Sequence, residues 1–190
     1  VPPQHLQEAR QRWDQERREK TITDEERADF ARTLERLTAP GAEAQMLAEI
    51  RPQLEQFQGE MKAQLPAMIA MGKGFVIASI NESQDIPEAN KPQAIDMLNA
   101  VGRWAETGEF ADIGRAEKAI AEISRTARSL PIQTLDDVQA LDFDGLMDLA
   151  SVAVAGFKKA VGHYDIDIDG ALDSARAETI SRDGDRATVR

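Results

Sequence analysis

Residues 47–68 read LAEIRPQLEQFQGEMKAQLPAM. Within that stretch Leu47, Ile50, Leu54, Phe57, Met61, Leu65 and Met68 follow one another at spacings of 3, 4, 3, 4, 4 and 3. A period close to 3.6 places all seven on one face of a helix. Pro52 and Pro66 fall inside the stretch, and a proline usually ends a helix because it lacks the N–H and clashes with the preceding turn. The apolar stripe keeps its phase across both prolines, so the pattern predicts one long kinked helix over 47–80, the spine of the fold. Beyond Ala67 the sequence is apolar all round, which predicts burial on most sides. Leu65 to Ile80 is the nearest thing to a membrane span, but it falls short of the roughly 18–20 residues required and is interrupted by Gly72-Lys73-Gly74. A core helix is the expectation, with no transmembrane segment.

The flanking sequence continues the helical period. Upstream, Thr23 and Glu26 have the spacing of a capping box, followed by Phe30, Leu34 and Leu37, and Ala39-Pro40-Gly41 ends that helix. The segment from Gln4 to Lys20 favours helix but offers only Leu6, Ala9 and Trp13 as apolar anchors, and so reads as an exposed arm. Downstream, Asn81 to Pro92 is a polar loop. Ile95, Leu98, Val101 and Ala105 then mark one amphipathic helix, closed by Thr107-Gly108. Ile113, Ala116, Ile120, Ile123, Ala127 and Leu130 mark another, stopped by Pro131. Thr134 with Asp137 starts a short helix, and Asp142 or Asp144 caps a last one that carries Leu146, Leu149, Ala153, Phe157 and Val161 inward to Gly162.

The period changes only at the end. Asp183-Gly184 is a two-residue hairpin signal, pairing Ala175–Arg182 with Asp185–Arg190. The string ISRDGDRATVR, residues 180–190, resembles the hairpin of small exported bacterial proteins of the cystatin-like or NTF2-like kind, in which a Gly-Asp turn precedes an Ala-Thr-Val strand. That resemblance implies an exported protein that binds or scaffolds, with a sheet continuing past Arg190, and brings no catalytic residues with it. The expected organisation is an exposed helical arm over 1–22, a mainly α, antiparallel helical bundle over 23–164, and an acidic loop with a β-hairpin over 165–190.

Composition excludes several classes. The chain carries 23 Lys+Arg against 34 Asp+Glu, a formal net charge of −11, which argues against nucleic acid and anionic membrane surfaces. Without cysteine there is no disulfide scaffold, thiolate metal site or cysteine nucleophile. The acidity is concentrated: residues 1–39 hold eight basic and nine acidic side chains, whereas residues 131–178 hold three and ten. A basic protein partner meeting that later half is the expectation. The start at Val1-Pro2-Pro3 suits an excised segment or a mature product after signal removal, and the lack of cysteine suits an oxidising compartment, so a periplasmic or secreted location is expected.

Four features invite chemistry. Asp165, Asp167, Asp169 and Asp173, with Gly170 between them, resemble an EF-hand calcium loop, since three carboxylates on a tight turn repel unless a hard cation neutralises them. The twelfth position is Arg176 where a bidentate Glu should sit, so an acidic connection with its carboxylates in water stays open as the alternative. Gly72-Lys73-Gly74 lacks the spacing of a phosphate loop and reads as a helix crossing or local kink. His163, after Gly162 at a helix end, complements the helix dipole, and His5 is too differently placed to pair with it. Met46, Met61, Met68 and Met71 cluster near the long stripe and fill either a core or an adaptable partner groove. No nucleophile elbow or zinc-protease helix appears among these residues.

The expectation is therefore not an enzyme. It is a non-catalytic exported interaction or binding protein of the bacterial envelope, of the accessory or inhibitor kind, with no cofactor. Two alternatives stand: calcium binding through 165–173, and a carboxylate-dependent hydrolase, which needs neither Cys nor His.

Overall fold

The computed structural model describes residues 2–171 and 173, and 82% of these are helical, with no strand among them. The order is α1 (Pro3–Glu19), α2 (Asp24–Thr38), α3 (Ala42–Gln56), α4 (Leu65–Glu82), α5 (Lys91–Glu106), α6 (Ile113–Ser129), α7 (Leu135–Ala140) and α8 (Phe143–Gly162). The expected hairpin over 175–190 lies outside the described residues. The start signals work as their chemistry requires. Thr23 accepts from the Glu26 N–H while Glu26 reaches back to the Thr23 N–H, and Thr134 with Asp137 repeats the arrangement. Asp142 caps α8 by accepting from the Gly145 N–H at 2.8 Å. Gly108, at φ +70°, turns the chain after α5.

The long kinked helix is not what forms. Pro52 sits inside α3 without breaking it, but after Gln56 the chain widens into a π turn over Phe57–Met61, with Lys62 N–H donating to Phe57 O at 3.0 Å. The helix then stops, and Ala42–Met61 and Leu65–Glu82 are bent by 96° at the break. Pro66 supplies the reason. It occupies the first turn of α4, where a missing N–H leaves nothing unsatisfied, whereas continuing the helix would drive its ring into the carbonyl of Lys62. Of the stripe, Leu54 and Phe57 before the break are half-buried and Leu65 after it is buried, while Met61 and Met68 are exposed.

The chain divides into two compact units, one of residues 1–43 with 119–190 and one of 44–118. In the first unit α1 is no free arm. None of its residues is buried, yet Trp13 Nε1 donates to Leu141 O at 2.9 Å, and Arg10 pairs with Asp144 at 2.8 Å while lying over the Phe143 ring at 5.1 Å. Gln139 Nε2 donates to the Arg17 and Lys20 carbonyls at the end of α1. Trp13, Ile22, Leu135 and Val138 line a pocket of about 320 Å³ there.

In the same unit α6 and α8 approach closely. An added Cβ on Gly156 would stand 2.0 Å from Thr126 Oγ1, which turns Gly156 and Ala160 inward and leaves Phe157, expected inside, 58% exposed. On α6 the buried positions are Ala116, Ala119, Ile120, Ser124 and Ala127, with Ile123 outside.

Arg128 ties α6 to the end of α2. It donates to the Thr38 and Ala39 carbonyls at 3.1 and 3.0 Å and forks onto Glu43. Its hydrogen bonds, helped by the Glu43 backbone N–H, hold the Glu43 carboxyl down from 4.5 to about 2. A depressed carboxyl contributes stability that is full above 4.5 and is lost as the pH falls through 2. Arg128→Gln should lower the melting temperature by a few degrees at neutral pH and flatten its decline between those two values. An unchanged acid melting profile would show that the pair contributes nothing.

In the second unit α4 and α5 form an antiparallel pair. Lys91 at the start of α5 donates to Asn81 O near the end of α4 at 2.9 Å, and Gly102 meets Ile69 and Lys73 one-third of the way along α4. Both contacts give the same register, with residue numbers on facing turns summing to about 172. Phe57, Phe110 and Trp104 stack at the far end, with ring centroids 4.7 and 6.0 Å apart, and Gln58 Nε2 donates to Ala111 O at 2.7 Å.

Candidate functional site

Burial on α4 is the reverse of expectation. Only Leu65 is buried, while Ile69, Lys73, Ile77 and Ile80 are half-buried along the stripe facing α5. Met68, Met71, Phe75 and Val76 are 47%, 67%, 72% and 44% exposed, and across the pair Met97 and Val101 are 61% and 55% exposed. The helix that reads as most deeply buried leaves most of its apolar side chains uncovered.

These side chains form one surface. Successive residues of a helix advance by about 100°, so Met68, Gly72, Phe75, Val76 and Ser79 share a flank of α4 beside the buried stripe. Met97 and Val101 share a flank of α5 beside its own contact stripe, Ile95, Leu98, Gly102 and Ala105. Because the helices run antiparallel, the two flanks fall on the same side of the pair. In the register above, Met97 lies level with Phe75 and Val101 with Met71. A Cβ on Gly72 would meet nothing within 4 Å, so the surface dips there. The Trp104–Phe110–Phe57 stack stands at one end. At the other, Glu82 follows Phe75 by seven residues on the same flank, and Asp85 and Glu88 occupy the connecting loop. Six large apolar side chains so exposed present on the order of 500 Å², within the range of the largest patch a typical monomer exposes, which is often functional. On α8, Met147, Val154 and Phe157, at i, i+7 and i+10, share a smaller exposed face, with Val152 on the opposite side.

The acidic residues fare differently. Asp144 pairs with Arg10, Asp136 with Arg27 at 2.9 Å, and Asp169 with Lys158 at 2.6 Å, while Asp137, Asp142 and Asp167 accept backbone N–H groups. Much of the charge expected to await a basic partner is thus engaged by the chain's own cations and helix starts. Arg10 and Arg27 hold Asp144 and Asp136 below their ordinary range, and backbone donors from Gln133 and Thr134 do the same for Asp137.

The proposed calcium ligands take up separate tasks. Asp165 stands at φ +60° after α8, Asp167 accepts from the Gly170 N–H at 3.0 Å at the start of a further helical turn, and Asp169 holds Lys158. Asp173 lies on that turn. No group of three or more His, Asp or Glu side chains stands where it could hold a metal among the described residues. Millimolar calcium is therefore expected to leave the melting temperature unchanged, and a rise abolished by Asp167→Ala would establish the calcium loop instead. His163 caps α8, its Nε2 3.6 Å from Glu122. Gly72-Lys73-Gly74 lies within α4, with Lys73 laid over Gly102.

Apart from Met97, the apolar residues of the site were visible in sequence, with core and partner groove both open for the methionines. What the sequence did not decide is that nothing among the described residues covers them. The surplus of apolar positions on α4, more than one contact stripe needs, was the available signal. The fold and site together define an all-α protein with an exposed apolar helix pair. Comparison with protein-family models, curated proteins and solved structures gives no match. No single helix among the described residues is long and apolar enough to cross a membrane.

Proposed function

We propose that the protein is a non-catalytic binding protein whose α4–α5 pair receives an apolar surface of a partner, in keeping with the exported interaction role expected from sequence. The observation that carries this reading is the continuous exposed face of Met68, Met71, Phe75, Val76, Met97 and Val101. Leaving such a face in water costs free energy that burial would recover at about 25 cal/mol per Å². Methionine, unbranched and polarizable, fits varied partner shapes. The carboxylates displaced from their ordinary range, Glu26, Glu43, Asp136, Asp137 and Asp144, are all displaced downward. A general acid in a hydrolase requires the opposite shift, so none of these five suits that role.

The neutral dye Nile red tests the face itself. Its fluorescence should rise on the native protein and lose much of that rise with Phe75→Glu plus Met97→Glu, while Leu6→Glu on α1 has little effect. Both positions are exposed, so helicity and melting temperature should survive the change. A dye signal that ignores the double substitution would overturn the reading.

A further inference from the structure

We infer that the occupant of the α4–α5 face is an amphipathic helix with a basic polar side. The inference rests on the binding role proposed above and adds the partner's chemistry. Shape is the first argument. The face is a shallow trough between two antiparallel helices, dipping at Gly72, and from Met68 to Ser79 it runs about 18 Å at 1.5 Å per residue. Three turns of an incoming helix match that length, and apolar anchors at i, i+4 and i+7 would meet the levels of Val101, Met97 and Ala94.

Charge chooses among the apolar surfaces that could lie there. From Leu65 to Glu106 the pair carries three basic side chains, Lys73, Lys91 and Arg103, against five acidic ones, Glu82, Asp85, Glu88, Asp96 and Glu106, a balance of −2. Lys91 is buried on Asn81 O and pairs with Glu88, which takes one charge of each sign out of that count and leaves it at −2, and Lys73 lies over Gly102. The trough itself holds no charge until Glu82 at its end. A second copy would bring −11 against −11, and an anionic bilayer would be repelled in the same way. A helix that is apolar on one side and cationic on the other gains on both counts, burying its apolar side in the trough and setting its cations against the acidic rim.

The test uses an 18-residue Leu/Lys peptide of helical period, with a Leu/Glu peptide of the same pattern as its counterpart. The Leu/Lys peptide should bind the full chain at least tenfold more tightly than the Leu/Glu peptide, and added salt should weaken it. Phe75→Glu with Met97→Glu should abolish binding. This variant adds two negative charges, so attraction by charge alone would strengthen, and tighter or equal binding would overturn the inference. Glu82→Gln with Asp85→Asn, which leaves the trough intact, should weaken binding several-fold, and no change would count against the acidic rim. A dimer in sedimentation that the Phe75→Glu, Met97→Glu variant dissolves would instead assign the face to a second copy. Flotation with phosphatidylcholine vesicles lost in the same variant would assign it to lipid. Should Nile red bind the face while neither peptide does, the inference fails and the binding role stands; should the dye also fail, both fall.

Discussion

Gly156→Ala should destabilise the unit of residues 1–43 and 119–190 severely, although the same change on an open helix stabilises. A glycine inside a helix costs about 1 kcal/mol relative to alanine, so Gly72→Ala and Gly74→Ala on α4, where a Cβ meets nothing, should raise stability by up to that amount each. At Gly156 the new Cβ would stand 2.0, 2.5 and 2.6 Å from Thr126 Oγ1, Cγ2 and Cβ. Real carbon atoms do not approach so closely, and the contacted atoms include the Thr126 Cβ, which a rotamer change cannot move away. The helices α6 and α8 must separate, and overpacking of this kind costs about 1–3 kcal/mol or more. For a domain of 150–250 residues each kcal/mol lowers the melting temperature by roughly 2–4 °C. Thr126→Ser should rescue nothing, because the Cβ remains, whereas Thr126→Gly should recover part of the loss. A Gly156→Ala protein as stable as the parent would mean that α6 and α8 do not meet at this point.

Trp13→Ala should also be costly, which separates a docked α1 from a free arm. Truncating a fully buried Trp costs about 3–5 kcal/mol, and Trp13 is half-buried, so a loss of about 2–3 kcal/mol is expected. Part of this is the hydrogen bond from Nε1 to Leu141 O, whose removal leaves that carbonyl without the donor. Trp13→Phe keeps much of the packing against Ile22, Leu135 and Val138 and loses the donor, and should cost about 1 kcal/mol. Thermal unfolding read by circular dichroism checks both variants. If Trp13→Ala melts with the parent, α1 is the arm that its sparse apolar content suggests.

Local chemistry was legible in the sequence. Thr23 with Glu26 and Thr134 with Asp137 cap their helices because a hydroxyl and a carboxylate three residues apart satisfy free N–H groups whatever the rest of the chain does. Gly108 and Pro131 act at the ends of α5 and α6 for equally local reasons. The helical class follows from the 3.6-residue period, which needs no knowledge of a neighbour. For Asp165, Asp167 and Asp169, spacing alone suggested a shared cation, but spacing does not fix where each carboxylate points. A hydrogen bond to the Gly170 N–H and a cation eleven residues back at Lys158 gave two of them separate partners.

Tertiary structure decided which apolar faces are covered. A period identifies an apolar stripe but not the helix that meets it, and α4, apolar all round, finds α5 along only one side. Rotation of α8 depended on Thr126, thirty residues earlier, against which only the glycine fits, and so Phe157 points outward. The 96° bend came from Pro66 taking the start of a new helix, although the stripe alone is equally compatible with a kink. Acidity too was a property of the sequence, but its availability was not: Arg10 and Arg27, more than a hundred residues away, neutralise Asp144 and Asp136. Contacts between residues far apart in sequence are set by packing, which no local pattern encodes, and here they moved the candidate site from the acidic later half to the uncovered α4–α5 pair.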